Sequence, residues 1–512
     1  MSDIDPSKRF NADTVRALGE PAPDDARKSE LNDIAEQVAK QYRDDSMSPV
    51  IVSGMLRLAE FGILVVLGLG IYLYYVGIRQ ELLWQYPAVI FGGSALMVIV
   101  LELSDGYQMA ALRNPWGQIG RLLFSWAGVF AVLALLGFLL KVSAQFSRVW
   151  LATWFASGFL ILIILRIILS KLIRNWARNG KMERRALIVG GGLSAEGLIR
   201  SIEAQPDNDI RICGIFDDRD DVRSPPVVAG YPKLGTVGEL IEFSRIARID
   251  MLIVALPLTA ESRVLALLKR LWVLPVDIRL SAHSNKLQFR PRAYSHIGSV
   301  PMLDIFDKPI NDWDSVAKRA FDVFFSVLGI IALSPIMLAA AIAIKLDSPG
   351  PVIFRQKRHG FNNEEIEVLK FRSMYADMSD PMAKKMVTKG DPRVTKVGRF
   401  IRKTSIDELP QFFNALRGDL SLVGPRPHAV YAQTRNKMFN EVVEGYFARH
   451  RVKPGVTGWA QISGWRGEID SDEKIKMRTE YDLYYIENWS LWLDLKILFL
   501  TPSRLMNTEN AY

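Results

Sequence analysis

Cysteine is almost absent from this 512-residue chain: Cys213 stands alone, which excludes an intramolecular disulfide and a cysteine-based metal centre. Histidine is nearly as scarce. His359, His428 and His450 stand at spacings that make no metal site and read as structural or phosphate-binding groups. The thiol content suits a reducing cytoplasm for the soluble parts. No internal repeat stands out. No nucleic-acid-binding motif accompanies the net charge of +9, so nucleic acid is not expected as a partner. The excess of cations instead suits an anionic membrane surface or phosphorylated substrates. The first forty or so residues are charged and polar, and no cleavable signal peptide is expected there.

Apolar sequence is plentiful and unevenly spread. Residues 1–47 are polar and read as a mostly disordered cytoplasmic tail. Within it, Leu31, Ile34, Ala35, Val38 and Tyr42 have the spacing of a short amphipathic helix, either transient or lying on a membrane surface. Residues 48–175 contain four apolar runs, about 52–76, 83–103, 122–140 and 149–170, each near the ~20 residues that cross a hydrocarbon core. A four-helix transmembrane bundle is expected. Trp84, Trp126, Trp150 and Trp154 lie close to segment ends, where interfacial anchors belong. Glu60, Glu102 and Arg166 are read as snorkelling or pairing inside the bundle. Lys171, Arg174, Arg178, Lys181, Arg184 and Arg185 crowd the exit of the fourth run and mark that side as cytoplasmic.

Residues 184–305 change character. Short apolar runs at 186–189, 210–216, 251–256 and 276–280 alternate with helical patterns at 194–204 and 261–272, which predicts a Rossmann-like α/β domain with a parallel sheet. Its first turn, Gly190 to Ala195, matches G-x-G-x-x-A, and Asp217 ends the second strand where a ribose would be held. Gly190, Gly192 and Asp217 are thus weak nucleotide-binding candidates. The competing reading, glycines needed only for close strand–helix packing, is preferred.

From about Trp313 onward three features belong together. The first is an apolar run, Phe321 to Ile344, which as a helix would extend ~36 Å. A fifth transmembrane crossing would fit by length, but both flanks are basic, with Lys318 and Arg319 before and Lys345, Arg355, Lys357 and Arg358 after. Pro335 removes a backbone hydrogen bond near the middle, and the Ser334 hydroxyl can satisfy the freed carbonyl. A re-entrant helix over about 320–345, broken at Ser334-Pro335, accounts for both observations. The second feature is a series of basic segments, 355–360, 370–374 and 393–403, suited to gather around phosphate. The third is the adjacent pair Asp407-Glu408. Ser405-x-x-Glu408 reads as a capping box, whereas Pro410 would be better placed if Asp407 were the N-cap. In either register the helix dipole and nearby arginines are expected to favour an ionised Asp407, as cap or as nucleophile. The segment 489–499 reads as an interfacial amphipathic helix rather than a further span.

The succession Lys318-Arg319-x-Phe321-Asp322, Ser348-Pro349-Gly350-Pro351, Lys370-Phe371-Arg372-Ser373-Met374, Thr404 to Gln411, Gly418-Asp419, Val423 to Pro427 and Lys453 to Gly458 resembles the bacterial sugar transferase family, the polyprenyl-phosphate hexose-1-phosphate transferases. The resemblance covers 313–512, and the N-terminal regions also look like those of the family's large members. The ending, from Trp459-Ala460-Gln461 through Trp465-Arg466 to Tyr484-Tyr485, is most similar to the branch that passes glucose-1-phosphate to undecaprenyl phosphate at the start of exopolysaccharide or capsule synthesis. The resemblance implies a monotopic α/β catalytic domain on the cytoplasmic face of the bacterial inner membrane. It implies a UDP-sugar donor and an undecaprenyl phosphate acceptor, reacting through Asp407 and Glu408, and Mg²⁺ held by Glu408 and Asp407. Lys370, Arg372, Arg402 and Arg426 become the phosphate contacts, and a homodimer is compatible with it. Transfer of galactose-1-phosphate is the nearest alternative; a membrane-anchored nucleotide-binding oxidoreductase and a non-catalytic export scaffold are the rivals from other classes.

Overall fold

The computed structural model describes residues 31–43, 48–78, 83–178, 182–205, 210–219, 224–257, 260–281, 294–297, 300–378, 391–428, 433–434, 437–439, 443, 445–467 and 471–505. The expected tail over 1–47 therefore lies outside the described residues except for 31–43. Two compact units divide the chain: Asp45–Arg184 with 206–211, and the remainder.

Helix α1 (Asp33–Gln41) belongs to the second unit. Asn32 caps it, accepting from the Ala35 amide at 2.8 Å and donating to the Leu234 carbonyl at 2.6 Å. Ala35 and Ala39 are fully buried in the core of the α/β domain. The amphipathic face thus has a protein partner, and neither alternative weighed from the sequence holds.

The first unit contains α2 (Pro49–Ile71, continued by a π turn through Val76), α3 (Gln85–Leu103), the short α4 (Met109–Arg113), α5 (Pro115–Leu139) and α6 (Arg148–Arg178). The four long helices are long and apolar enough to cross a membrane. Three of the four tryptophans assigned to interfaces are instead buried. Trp150 and Trp154 stack at 5.3 Å, and Trp126 meets Trp154 edge-on at 5.4 Å. The reason is that each indole N–H finds a helix carbonyl inside: Trp150 reaches Gly68 at 3.2 Å, Trp154 reaches Leu64 at 3.2 Å and Trp126 reaches Phe155 at 2.9 Å. Glycine makes the room, since a Cβ on Gly158 would lie 2.9 Å from the Trp126 ring. Trp84, 75 % exposed, keeps the position of an anchor. Glu60 and Arg166 are buried and pair at 2.8 Å, with the Tyr107 hydroxyl donating to Glu60 at 2.6 Å. Pairing is the only economical state for such charges among apolar helices.

In the second unit an eight-stranded sheet has the order β3-β4-β2-β1-β5-β6-β8-β7. Its elements are β1 (Arg184–Val189), α7 (Gly192–Glu203), β2 (Ile210–Phe216), β3 (Val227–Val228), β4 (Tyr231–Gly235), α8 (Val237–Ile246), β5 (Met251–Val254), α9 (Glu261–Leu271), β6 (Asp277–Ser281), β7 (Tyr294–Ile297) and β8 (Val300–Phe306). β5 pairs parallel with both β1 and β6, whereas β8 closes the sheet antiparallel between β6 and β7. The buried parallel strands carry continuous apolar runs and were legible from sequence. The short and antiparallel strands were not. Asp217 does not present itself to a ribose. Its carboxylate turns inward, accepting from the Gly191 amide at 2.6 Å and from Arg219 Nη2 at 2.7 Å. Burial pushes its carboxyl up, but these donors outweigh burial and hold it below its ordinary value. The turn amide that a pyrophosphate would need is therefore occupied, which supports the packing reading of Gly190 and Gly192.

The catalytic-domain candidate begins with α10 (Asp312–Asp347), followed by the hairpin β9 (Ile353–His359) and β10 (Glu365–Phe371), then α11 (Lys396–Lys403) and α12 (Gln411–Arg417). β11 (Ser421–Val423) pairs parallel with β12 (Gly455–Thr457), and α13 (Trp459–Ile462), α14 (Asp472–Glu487) and α15 (Leu491–Leu505) complete it. Helix α10 runs unbroken through Pro335, contrary to the break expected at Ser334-Pro335, and Ser334 Oγ donates to the Ile331 carbonyl at 2.8 Å. Near its start, Arg319 donates to the Ala415 and Leu416 carbonyls at 2.7 and 2.6 Å, satisfying the last carbonyls of α12. Near its end, Ala340 and Ile344 are buried with Phe371 and Ile401, and Asp347 accepts from the Val397 amide at 3.1 Å. The middle is bare: Ile331 is 68 % exposed.

Candidate active site

The two carboxylates lie on the link between α11 and α12, the helices that pack along α10. Thr404 ends α11, and Ser405 adopts a left-handed conformation at φ +57° that turns the chain. Ile406–Glu408 form a single 3₁₀ turn, and Pro410 is the residue that precedes α12. Proline suits that place because its fixed φ is already helical and its missing N–H would have had no intrahelical partner. Neither register read from the sequence occurs: Ser405 makes no capping box, and Asp407 is not the N-cap. The expected stop does occur, with Gly418 at φ +101° closing α12.

Asp407 and Glu408 open into a cavity of about 240 Å³. Strand alternation aims Lys370 of β10 into it while its neighbour Phe371 is buried against α10. Asn414 ties that strand to α12, accepting from the Leu369 amide at 2.9 Å and donating to the Glu367 carbonyl at 2.7 Å. Lys370 Nζ meets Glu408 Oε1 at 3.1 Å. Arg426 donates to Glu408 through both terminal nitrogens, Nη1 to Oε2 at 3.1 Å. Burial alone would raise Glu408, but Arg426 and then Lys370 outweigh it and hold its carboxyl well below the usual range.

Asp407 behaves in the opposite way. Burial, then the charge of Glu408, pushes its carboxyl up to about 6 against the weaker pull of Lys370, Arg402 and Arg426. Contrary to the expectation that the helix dipole and arginines favour an ionised Asp407, the cations are spent on Glu408, and a like charge sits next door. Among the described residues Asp407 accepts no side-chain hydrogen bond and forms no close ion pair.

Of the expected phosphate contacts, Lys370, Arg402 and Arg426 line the cavity and Arg372 does not. Arg372 is buried at the end of α10, donating to the Ser348 carbonyl at 2.7 Å and the Pro349 carbonyl at 2.6 Å. On a strand, the residue two places after Lys370 would share its face, but the chain leaves β10 at Phe371 and the alternation ends. Arg358, Arg449, Arg466 and Arg478 also line the cavity, so among the described residues seven cationic side chains face three carboxylates there. A cavity so biased suits a polyanion. Arg466 was visible only as part of a Gly-Trp-Arg-Gly turn; its neighbours Gly464 and Gly467 take φ +97° and +96°, and it donates to Ser405 Oγ. Arg449 and Arg478 carry no local signal. His428 is a wall residue, kept neutral because burial, then Arg449 and the other arginines, disfavour its protonation.

Among the described residues no cluster of three or more histidine, cysteine or acidic side chains is placed to hold a metal. Mg²⁺ does not require one. It is commonly bound through one or two carboxylates and completed by substrate phosphates. The pair Asp407 and Glu408 offers hard oxygen donors of that kind, and so fits.

Comparison with known proteins gives the chain its relatives. Residues 313–508 match the model of the bacterial sugar transferase family, and 102–282 match that of a CoA-binding domain. An undecaprenyl-phosphate glucose phosphotransferase of Komagataeibacter xylinus is 39 % identical over 74 % of this chain and 69 % of its own length. A UDP-glucose:undecaprenyl-phosphate glucose-1-phosphate transferase of Escherichia coli is 38 % identical over 71 % of this chain and 76 % of its own. An undecaprenyl-phosphate galactose phosphotransferase of Salmonella typhimurium is 30 % identical over 78 % of this chain and 83 % of its own. With the five long apolar helices and the carboxylate pair in its cationic cavity, the chain is a membrane protein that belongs to the bacterial sugar transferase family.

Proposed function

We propose that the protein transfers hexose-1-phosphate, with glucose favoured, from a UDP-sugar to undecaprenyl phosphate and releases UMP. The observation that carries this reading is the division of labour between the two carboxylates. Glu408 is locked as an anion by Lys370 and Arg426, whereas Asp407 faces the cavity without a close partner among the described residues. In the first step an Asp407 carboxylate oxygen bonds to the β-phosphorus as the bond to UMP breaks, and UMP leaves with the electron pair. An oxygen of undecaprenyl phosphate then attacks the same phosphorus, breaks the acyl-phosphate bond and returns the carboxylate. One diphosphate linkage replaces another, so the overall free-energy change is small. Arg358, Arg402 and Arg466 form no salt bridge among the described residues; Gln356 and the Pro427 carbonyl orient Arg358, Ser405 orients Arg466, and the positive charge of all three is left at the cavity for phosphate oxygens. Mg²⁺ bound at Asp407 and Glu408 would supply further neutralisation of the diphosphate. Glucose rather than galactose is supported by the higher identity to the two glucose-1-phosphate-transferring relatives. The test is UMP release with UDP-glucose and UDP-galactose as alternative donors, with undecaprenyl phosphate in membranes. A clear preference for galactose would reverse the sugar assignment.

The pH dependence follows from Asp407. A carboxyl raised to about 6 is mostly protonated below that pH, and the protonated form cannot attack. Single-turnover UMP release should therefore rise with pH through about 6, and a cation bound beside Asp407 would move that limb lower. A limb well above that value would assign the titration to another group.

We also propose that α2, α3, α5 and α6 form a transmembrane bundle in the bacterial inner membrane, and that α10 re-enters rather than crosses. Both ends of α10 dock on one set of elements, Arg319 on α12 and Asp347 on α11. A single catalytic domain cannot sit on both faces of a bilayer, so this docking supports a same-side arrangement. The basic exit of α6 supports the cytoplasmic side for that face. In a Cys213→Ser background, Asp314→Cys and Glu365→Cys should react with an impermeant thiol reagent from the cytoplasmic side alike. Labelling from opposite sides would reject re-entry.

A further inference from the structure

The turn Tyr446–Arg451 faces two ways at once. Toward the cavity it sends Arg449, which is only 1 % exposed. Arg449 pairs with Asp482, meets His428, and donates through Nη2 to the backbone carbonyl of Arg426 at 2.8 Å. Arg426 is the residue whose guanidinium grips Glu408. Toward the α/β domain the same turn sends Ala448, fully buried in one cluster with Leu268 and Leu271 of α9 and Leu252 and Val254 of β5. Arg451 donates to the Asp307 carbonyl, just past β8, at 2.9 Å. Gly445, which opens the turn at φ +66°, lies so close to Trp272 that a Cβ would overlap the indole ring. A second tie runs beside it, from Asn362 Nδ2 to the Ser244 carbonyl at 2.7 Å.

We propose that the α/β domain is a positioning element of the transferase site. The core around Ala448 and the bond from Arg451 to the Asp307 carbonyl fix the 446–451 turn, the turn fixes Arg449, and Arg449 holds the Arg426 backbone so that its side chain stays on Glu408. The assignment rests on the reading of the cavity as the transferase site. It gives the domain a task that needs no bound nucleotide, in keeping with the inward-turned Asp217. Its physical basis is that a displacement of about 1 Å, transmitted through packed groups, can cost roughly a hundredfold in rate.

The decisive experiment uses the full-length protein in membranes and a steric rescue. Gly445→Ala, which both strains the left-handed backbone and sets a Cβ against Trp272, should push the turn off that ring and lower kcat for UMP release by about ten- to a hundredfold, with a smaller change in KM for UDP-glucose. Adding Trp272→Ala, which removes the obstructing ring, should recover several-fold of that loss. Leu198→Ala, which empties the core under α7, should lower Tm and leave kcat unchanged. Wild-type kcat in Gly445→Ala, no recovery in the double variant, or an equal loss of kcat in Leu198→Ala would each overturn the proposal. Hydrogen exchange at the amides of Arg426 and His428 reads the coupling without substrate. It should quicken in Gly445→Ala and slow again in the double variant, and unchanged exchange would also overturn the proposal. A wild-type protein that releases no UMP would reject the transferase reading, and the exchange comparison would then decide the coupling by itself.

Discussion

Asp407→Asn should lower UMP release from UDP-glucose by at least about a thousandfold, equivalent to about 4 kcal/mol of transition-state stabilisation. Asparagine keeps the size and polarity of the side chain and removes the nucleophilic oxygen, so the loss would report chemistry rather than packing. No sugar-phosphate adduct should be trapped on the variant by acid quench with a labelled donor, whereas the wild-type protein should retain label when acceptor is withheld. Stability should move the other way. A carboxyl raised from 3.8 to about 6 binds its proton more tightly in the folded state, so ionised Asp407 opposes folding increasingly as pH rises through that window. Above it, the asparagine variant should have a Tm no lower than the wild type. A variant that kept a tenth of the activity, or still accumulated labelled protein, would remove Asp407 from the nucleophile's role. Glu408→Gln tests a different term, because it strands Lys370 and Arg426 without their shared anion.

Lys318→Met should destabilise the catalytic domain by about 3–5 kcal/mol. Lys318 is buried where α10 begins. It pairs with Asp494 of α15 at 2.7 Å and donates to the Val423 carbonyl at 2.9 Å. Tyr485 joins the same node, its single hydroxyl proton shared between Asp494 at 2.7 Å and the Val423 carbonyl at 3.0 Å. Methionine fills nearly the same space, so the cost is chiefly the anion left behind in an apolar setting. Lys318→Met with Asp494→Leu, which removes the closer pair and leaves Asp322, 3.5 Å from Lys318, to its Ser421 and Leu422 donors, should recover part of the loss. Thermal unfolding of the three variants in one lipid or detergent checks this. Equal Tm values for the single and double variants would show that the pair is not the source. Val423 leads directly into Gly424-Pro425-Arg426, so the single variant should also lose activity before it unfolds.

Much of the architecture was legible because it is encoded locally. A run of apolar residues long enough to cross a bilayer is visible without any neighbour, and so is the alternation of buried strands with helices in 184–305. The motifs 404–411 and 423–427 likewise identified the family, and their residues do converge on one cavity. The failures share a cause. The places of Trp126, Trp150 and Trp154 in the sequence point to interfaces, yet their N–H groups donate to carbonyls of neighbouring helices, which draws the rings inward. Arg372 stood in a matching motif only two residues from Lys370, but the strand ended between them.

The sequence by itself therefore determined the class of protein, the number of long apolar helices and the pair of carboxylates on which the chemistry is proposed to turn. Only the tertiary structure decided which arginines reach that pair and which carboxylate they hold as an anion. Helix length, strand alternation and motif identity depend on residues a few positions apart. Desolvation and charge pairing depend on residues brought together by the whole fold, as Lys318 and Asp494 are across 176 positions. A charge in the sequence has no environment until the chain has folded around it.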